Sequence, residues 1–264
     1  MELVYFTEEE YQKAFFEFSN FRAKIAERVQ DIVRIDDGII LDLLSGHGLL
    51  SIEFGDVFPH SKIISTGLAN DAKSYQNIHH SNQYPARIFS QIQYIMCDVT
   101  SIPLSTSSCD IIVNFLGLED VNMLHGRQGV KALFKETSRI LKPDGLLQIS
   151  LVEYGDDPAE LVAQEVWNSI GLNAVFYERN EYVEMLKLHH FEVVEEFFLR
   201  HNKKMTSDQA KEEIQFACNE APKMYSGFGV RAVPLDEIWE RFSKRISRVG
   251  MGYWSPIRVM IFSR

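Results

Sequence analysis

The chain has 264 residues, of which 45% are hydrophobic, and its formal net charge is −10. This hydrophobic content is sufficient for one large domain with a buried core. The acidic balance argues against a nucleic-acid partner, because Lys and Arg side chains that neutralise phosphates supply most of such affinity. The sequence shows neither the basic start and apolar run of an export signal nor an apolar run long enough to span a membrane. We therefore expect a cytoplasmic protein without membrane contact.

The three cysteines, Cys97, Cys109 and Cys218, have neither paired spacing nor a metal-ligand pattern. Two of them fall at the edges of predicted strands, where a free thiol packs as a small apolar residue. The cysteines therefore fit a reducing compartment, and no metal site is predicted.

Residues 7–33 place apolar side chains at gaps of three, four and seven, which predicts a helix with one packed face. Thr7 and Glu10 are spaced as a capping box. The stripe holds more aromatic residues than one packing face requires. Two interpretations stay open, a helix that forms half of a lid over a pocket and a helix that simply packs on a sheet.

Residues 39–52 contain an apolar run that ends at Asp42, then Gly46 and Gly48, then a second apolar run at helical spacing. This pattern predicts a buried strand, a tight turn and a helix. Glycine can adopt positive φ and leaves no Cβ between the main chain and a ligand, and the helix start directs its amide groups at that ligand. The segment is typical of a nucleotide-binding corner, although Leu44 stands where the dinucleotide fingerprint has its first glycine. An ordinary strand-to-helix turn is the alternative.

The same periodicities predict an alternation of strands and helices along the rest of the chain. The predicted strands, one to seven, are residues 38–43, 62–66, 91–96, 110–114, 146–152, 191–199 and 257–262. The predicted helices between them include residues 49–56, 71–83, 130–141, 180–189 and 235–249. Thr206 with Gln209 marks the start of a further helix.

Four motifs in this order resemble the class I S-adenosylmethionine-dependent methyltransferases, in particular a small-molecule branch similar to ubiquinone and menaquinone methyltransferases. They are the turn at residues 42–48, Asp98 after strand three, strand four at residues 109–115, and the Leu-Lys-Pro-Asp-Gly turn at residues 141–145. The resemblance covers roughly residues 36–200. It implies an α/β, Rossmann-like sheet of seven mostly parallel strands in the order 3-2-1-4-5-7-6, with helices on both faces.

The resemblance also suggests a domain organisation. Residues 1–35 are expected to form an N-terminal helical cap and residues 36–200 the S-adenosylmethionine-binding domain. Residues 201–254 are expected to be a helical cap insertion where the family often has a hairpin, and residues 255–264 complete the sheet. The insertion supplies aromatic residues for a pocket: Phe216, Tyr225, Phe228, Tyr253 and Trp254.

By resemblance the cofactor is S-adenosyl-L-methionine, with S-adenosylhomocysteine as product. Asp98 would accept a hydrogen bond from the adenine amino group, and the Val99 backbone would contact the ring edge. The acid that binds the ribose after strand two is replaced by Ala69, and Asn70 and Asp71 follow it. The residues expected to contact the cofactor are Asp42, Leu44, Ser45, Gly46, His47, Gly48, Leu68, Asn70, Asp98, Val99, Asn114 and Phe115.

Ligands of open α/β sheets lie beyond the carboxyl ends of the strands, so the loop after strand four should face the transferred methyl group. Glu119, Asp120 and His125 are candidates for a base there, and Tyr154 leaves strand five at the same edge. Of these, His125, Glu119 and Tyr154 are our predicted catalytic residues.

The sequence thus predicts methyl transfer to a small metabolite, aromatic or anionic, without nucleic-acid or membrane partners and compatible with a homodimer. The anionic option comes from basic residues near the C-terminus: Arg231, Arg241, Lys244, Arg245 and Arg248. Two alternatives stay open. One is a non-catalytic S-adenosylmethionine-binding or regulatory protein with the same fold, which Ala69 and Leu44 favour, and the other is a protein methyltransferase.

Overall fold

A computed structural model describes residues 18–80, 84–174, 177–200 and 203–264, except for the side chains of Asn70, His79 and His80. The predicted capping box at Thr7 and Glu10 lies outside the described residues. So does the N-terminal half of the first predicted helix.

One mixed sheet organises the described chain. Its strands are β1 (Ile39–Asp42), β2 (Lys62–Gly67), β3 (Ile92–Met96), β4 (Cys109–Val113), β5 (Leu141–Val152) and β6 (Glu192–Leu199), and two short strands, β7 (Lys204–Met205) and β8 (Met251–Gly252), precede its last strand, β9 (Ile257–Ser263). The strand order is β3-β2-β1-β4-β5-β9-β6. Strands β1 to β5 pair in parallel, whereas β9 runs antiparallel to both β5 and β6. The predicted order is confirmed, with β9 as the seventh predicted strand.

The helices follow the strands on both faces of this sheet. They are α1 (Ser19–Ile32), α2 (Leu49–Val57), α3 (Ala69–His80), α4 (Ala86–Phe89), α5 (Leu118–Ile140), α6 (Pro158–Ile170), α7 (Arg179–Lys187), α8 (Ser207–Asn219), α9 (Ala221–Met224) and α10 (Leu235–Val249). Successive strand residues point to opposite faces, so Ile40 packs with α1 to α4 and Leu41 packs with α5 and α7. The sheet is therefore covered by a hydrophobic core on each side.

The segment between β6 and β9 has a hydrophobic core of its own. Ile214 of α8 and Phe242 of α10 pack there with Val162 of α6, and all three side chains are buried. Strands β7 and β8 pair antiparallel and bring the two ends of this segment together. The predicted start of α8 is confirmed, because the Thr206 and Gln209 side chains form a reciprocal capping box.

Two helix and strand boundaries differ from the prediction. Helix α5 begins at Leu118 rather than at residue 130, and it continues through a kink at Gly126, whose φ is 64°. A glycine inside a weakly periodic stretch hid this continuity. Strand β5 begins at Leu141, where it pairs with Cys109, and a register shift separates that pair from the regular ladder at Leu146. The proposed domain boundaries stay a prediction.

Candidate functional site

A cavity of about 410 Å³ opens where β1, β2, β3 and β4 end. We call the residues contributed by the loops after these strands the cavity floor: residues 42–47, 67–71, 97–99 and 115–125. The opposite wall, the cavity roof, comes from α6 and the segment before β9: Trp167, Leu172, Ala174, Glu213, Phe216, Ala217, Ala221, Met224, Tyr225, Tyr253 and Trp254. The carboxyl edge of a parallel sheet is the position at which this class of fold binds its ligands.

The turn after β1 is built from left-handed residues. Leu44, Gly46 and Gly48 have φ values of 57°, 52° and 77°. The Ser45 amide donates to the Thr66 carbonyl at 2.7 Å, which fixes the turn against β2. This conformation is costly for Leu44, by about 1–2 kcal/mol, and without penalty for glycine.

The two glycines of this turn have different surroundings. Gly46 lines the cavity together with Leu44, Ser45 and His47. Gly48 does not line it, and a Cβ at this position would lie 2.8 Å from Tyr75 Cδ2. Gly48 is therefore needed for close packing of α2 against α3, and its predicted contact with the cofactor stays a prediction.

Asp42 is a buried carboxyl group in the cavity wall, with 1% of its surface exposed. Its Oδ2 accepts a hydrogen bond from Ser51 Oγ at 2.7 Å, while its Oδ1 has no partner among the described residues. Burial raises the pKa of Asp42 to about 7, and the hydrogen bonds from Ser51 and the positive charge of Arg22 only partly oppose this. The site thus holds an unused buried acceptor that suits a cationic donor.

Arg22 reaches the cavity from α1 and is 2% exposed. Its guanidinium lies 5.8 Å from the centre of the Phe115 ring. Arg22 was not among the predicted site residues. The sequence does indicate it, because Arg22 falls at helical spacing between Phe18 and Ile25 on an otherwise apolar stripe, and a charged side chain at such a position is rare unless it has a partner.

Asp98 and Val99 both line the cavity after β3, as predicted. Asp98 Oδ1 accepts from the Thr100 amide at 2.8 Å and from Thr100 Oγ1 at 2.7 Å. Asp98 Oδ2 lies 3.3 Å from His125 Nε2. Partial burial opposes ionisation of Asp98, but the Thr100 hydrogen bonds and the nearby imidazole outweigh it and lower the pKa. Asp98 is therefore a carboxylate.

The loop after β2 contributes Leu68 and Asp71 to the cavity wall. The Leu68 amide donates to Asp71 Oδ2 at 3.0 Å, so Asp71 caps the start of α3. Ala69 is exposed and begins that helix. The side chain of Asn70 lies outside the described residues, and its predicted cofactor contact stays a prediction.

Asn114 and Phe115 follow β4 and have different roles. Phe115 lines the cavity, whereas Asn114 is fully buried and does not. Asn114 Nδ2 donates to the carbonyls of Leu43 at 3.1 Å and Leu116 at 2.6 Å. The Asn114 amide thus joins the loops after β1 and β4, and its predicted contact with the cofactor stays a prediction.

Glu119 and Asp120 begin α5 and line the cavity. Burial raises the pKa of both, and the charges of Glu119 and Asp71 help to raise that of Asp120 to about 8. Asp120 keeps exposed surface. Because it lines the cavity, a ligand bound there would complete its burial. Asp120 can therefore hold or release a proton near neutral pH.

The other two predicted catalytic residues are placed differently. His125 lines the cavity beside Asp98, and its ring lies 5.4 Å from that of Phe228. Tyr154 does not line the cavity and packs against the core beneath the roof. Burial raises the pKa of Tyr154 above its usual range. This placement does not favour a catalytic role for Tyr154, which stays a prediction.

The cavity roof is mainly aromatic. Trp167 and Trp254 stack with ring centres 4.8 Å apart, and Tyr253 stacks on Phe18 at 5.7 Å. Of the predicted pocket aromatics, Phe228 is 47% exposed and does not line the cavity.

Glu213 also lines the cavity, although it was not among the predicted site residues. Burial and the neighbouring charge of Glu212 raise its pKa to about 7.

The basic residues that suggested an anionic substrate do not reach the cavity. None of Arg231, Arg241, Lys244, Arg245 and Arg248 lines it. Arg245 instead pairs with Glu165 at 2.6 Å and 2.9 Å. The cavity lining therefore gives no support to the hypothesis that these side chains hold the substrate, and that hypothesis stays a prediction.

The described residues contain no group of three or more His, Cys, Asp or Glu side chains that could hold a metal ion. Among the described helices, none combines the length and the apolar composition that a membrane span requires.

Residues 41–149 match the family model described as a methyltransferase domain. Among proteins with curated functions, none matches this sequence. Solved structures do resemble it. A putative methyltransferase from Bacillus halodurans has a TM-score of 0.59 and 14% identity, over 92% of this chain and 98% of that one.

Two further structures are similar. A putative sarcosine dimethylglycine methyltransferase from Galdieria sulphuraria has a TM-score of 0.57 and 18% identity, over 96% of this chain and 87% of that one. Geranyl diphosphate C-methyltransferase from Streptomyces coelicolor, in complex with Mg²⁺, geranyl diphosphate and S-adenosyl-L-homocysteine, has a TM-score of 0.55 and 15% identity, over 97% of this chain and 84% of that one. At such identities the structures show a shared fold. Residues 41–149, which match a methyltransferase domain, therefore lie within a fold that solved methyltransferases share.

Proposed function

We propose that this protein transfers a methyl group from S-adenosylmethionine to a small metabolite by in-line displacement. The observation that carries the proposal is Asp42. This buried carboxyl group ends β1 in the wall of the cavity, and one of its oxygens has no partner among the described residues. A buried acceptor without a partner is costly, by about 1–3 kcal/mol, unless a ligand supplies the donor.

The amino-acid end of the cofactor fits the corner occupied by Asp42 and Arg22. That end carries an ammonium and a carboxylate group. Asp42 and Arg22 carry opposite charges, and they lie close enough for the Arg22 charge to lower the pKa of Asp42. We assign the ammonium group to Asp42 and the carboxylate to Arg22. Bound ammonium would hold Asp42 in its ionised form.

The adenosine end fits the loops after β2 and β3. Thr100 occupies Asp98 Oδ1, and Oδ2, which lies 3.3 Å from His125 Nε2, would also accept from the adenine amino group through its second lone pair. Leu68 and Val99 would pack on the adenine ring. Asp71 Oδ2 already accepts a hydrogen bond from the Leu68 amide, so we assign the ribose to Asn70. Residues 44–47 bring the main chain close to the ligand, as their left-handed turn requires.

When bound, the cofactor supplies a methyl carbon on a positively charged sulfur, which leaves as neutral S-adenosylhomocysteine after in-line attack. The protein therefore has to orient the acceptor, exclude water and remove any proton that the acceptor carries. Trp167, Trp254 and Tyr225 cover the cavity and exclude water. Glu119 is the base we favour, because it lies in the first turn of α5, directly after the loop that follows β4, whereas His125 lies beside Asp98 at the adenosine end.

A small acceptor fits the covered cavity better than a protein side chain does. Two similar structures are named for small-molecule acceptors, sarcosine and dimethylglycine in one and geranyl diphosphate in the other. These acceptors differ in charge, so the fold by itself does not select the chemistry of the acceptor.

The test begins with cofactor affinity. Calorimetry should show S-adenosylhomocysteine binding that Asp42→Asn weakens about 10- to 100-fold, because a hydrogen bond to a charged group contributes about 1.5–3 kcal/mol. Asp110→Asn is the matched control. Asp110 lies at the start of β4 and accepts hydrogen bonds from the Ile39 amide at 2.9 Å and Lys142 Nζ at 2.7 Å. It should lower the melting temperature and leave the affinity unchanged.

A second experiment tests turnover. Cell extract incubated with the protein and labelled S-adenosylmethionine is separated into metabolite and macromolecule fractions, and the label should enter the metabolites. Label in macromolecules would identify a protein methyltransferase instead. Cofactor binding without any transfer would favour a non-catalytic binding protein, and equal affinity of parent and Asp42→Asn would contradict our site assignment.

A further inference from the structure

We infer that the acceptor is a cationic amine with an aromatic or apolar body, held between the aromatic roof and a set of acidic residues. We call Glu119, Asp120 and Glu213 the acidic triad. This inference rests on the proposed function, because it uses the part of the cavity that the cofactor assignment leaves over.

The charges along the cavity are strongly unequal. The side chains that line it include six carboxyl groups, those of Asp42, Asp71, Asp98, Glu119, Asp120 and Glu213. The only Lys or Arg side chain among the described lining residues is Arg22. A cavity with this balance attracts cations and repels anions.

Assigning the cofactor does not remove the excess of negative charge. Asp42 and Arg22 serve its amino-acid end, and Asp71 and Asp98 lie at its adenosine end. The acidic triad is left, and the positive sulfur of the cofactor can balance one of its members. Two carboxyl groups then face the acceptor without a cation in the described lining.

The charges of the triad members affect the pKa values of neighbouring side chains. Glu119 and Glu213 both raise the pKa of Tyr154 through their charges, and Glu119 raises that of Asp120. Burial raises the pKa of all three triad members, so each is costly to ionise in the cavity without a ligand. A bound ammonium group offsets that cost, whereas a bound carboxylate increases it.

The roof adds a second, independent preference for a cation. Glu213 and Phe216 are three positions apart on α8, so the carboxyl group and the ring lie on the same side of the helix. Both line the cavity, together with Tyr225 and Trp254. Aromatic faces attract ammonium groups by about 0.5–2 kcal/mol each and also pack against an apolar body. A bare metal ion has no apolar body to pack against the aromatic rings, and an anion would be repelled by the carboxyl groups.

Three probes of the same shape and different charge test the inference. Phenethylamine, 2-phenylethanol and 3-phenylpropionate share a phenyl ring on a two-carbon chain and end in a cation, a neutral group and an anion. Calorimetry measures their binding to the full chain with and without S-adenosylhomocysteine. We expect the amine to bind at least ten times more tightly than either of the others.

Two variants on one helix locate the preference. Glu213→Gln keeps the shape of the side chain and should reduce the preference for the amine over the alcohol about tenfold. Glu212→Gln removes a charge from the adjacent, exposed position, which does not line the cavity, and should change the preference less than twofold.

The outcomes separate this inference from the proposed function. If S-adenosylhomocysteine does not bind, the proposed function is wrong, and the titrations without it still measure the preference for a cation. If the cofactor product binds but the amine shows no advantage over the alcohol and the carboxylate, or none of the three binds, the inference is wrong. An amine preference that survives Glu213→Gln would also overturn it.

Discussion

The floor and the roof of the cavity are built by different means. The floor is a set of loops fixed by hydrogen bonds at the end of the sheet, such as those from Ser45 to Thr66 and from Asn114 to Leu43. The roof rests on a separate hydrophobic core around Phe242 and on the pairing of β7 with β8. The family match at residues 41–149 includes all of the floor and none of the roof.

This division suggests how the two walls share the work. The floor holds features common to a large family and should govern cofactor affinity. The roof lies outside the family match and should govern the acceptor. If so, substitutions in the floor change the binding of S-adenosylhomocysteine without changing the preference among acceptors, and substitutions in the roof do the opposite.

The largest effect is expected from Gly46→Val in the floor. Gly46 lines the cavity with φ 52°, so a branched side chain there occupies the space that the cofactor needs. Calorimetry should show at least a 100-fold loss of affinity for S-adenosylhomocysteine, or about 2.8 kcal/mol.

A control is needed because valine at positive φ also strains the backbone. Gly229 has φ 70°, open space around its Cβ position and no contact with the cavity. Gly229→Val should lower the melting temperature about as much as Gly46→Val and leave the affinity unchanged. Equal affinity of both variants would show that the turn does not touch the cofactor.

The difference between floor and roof also explains what the sequence predicted. Asp42, Gly46 and Asp98 stand in local motifs, and their neighbours along the chain are also their neighbours in space. The strand order followed from the resemblance to a family, and the structure confirms it.

The parts that were missed depend on contacts between distant segments. Glu213 lines the same cavity as Glu119 only because the roof folds over the sheet, and no local pattern in the sequence indicates this. Strands β7 and β8 have two residues each, too few to show a periodicity. The packing of Gly48 on Tyr75 was not foreseen, because a glycine required for packing looks the same in sequence as one required for a ligand.

The loop after β2 is expected to give an intermediate effect. The position of the usual ribose acid holds Ala69, at the start of α3. We expect Asn70→Ala to weaken S-adenosylhomocysteine binding about tenfold, or 1.4 kcal/mol, because the ribose loses a hydrogen-bonding partner. Ala69→Asp should tighten binding, since it restores a carboxylate with two acceptor oxygens.

Asp71→Ala is the comparison for these two variants. Asp71 accepts a hydrogen bond from the Leu68 amide at 3.0 Å and so caps α3. Its loss should mainly lower the melting temperature, as the loss of a helix cap costs about 1 kcal/mol. Unchanged affinity in all three variants would show that this loop does not bind the ribose, and the non-catalytic alternative would then gain support.

The smallest expected effect lies in the roof and concerns pH. Burial raises the pKa of Glu213 from 4.5 to about 7, so between these values the folded protein keeps a proton that the unfolded chain releases. Stability therefore falls as the pH rises from about 4.5 to 7, and the full loss is present above pH 7. Glutamine cannot ionise, so Glu213→Gln removes this dependence.

We expect Glu213→Gln to melt about 2–4 °C above the parent at pH 8, equivalent to about 1 kcal/mol, and at nearly the same temperature at pH 5. Part of the Glu213 surface faces the cavity and its solvent, so we expect about 1 kcal/mol, well below the free energy that corresponds to the full pKa shift. Glu212→Gln, at an exposed position, should show no such dependence on pH. Saturating phenethylamine should reverse the order at pH 8, because the bound cation stabilises the ionised carboxylate of the parent and finds none in the variant. If Glu213→Gln remains more stable than the parent with the amine present, Glu213 is simply a buried acid, and the roof does not discriminate between ligands by their charge.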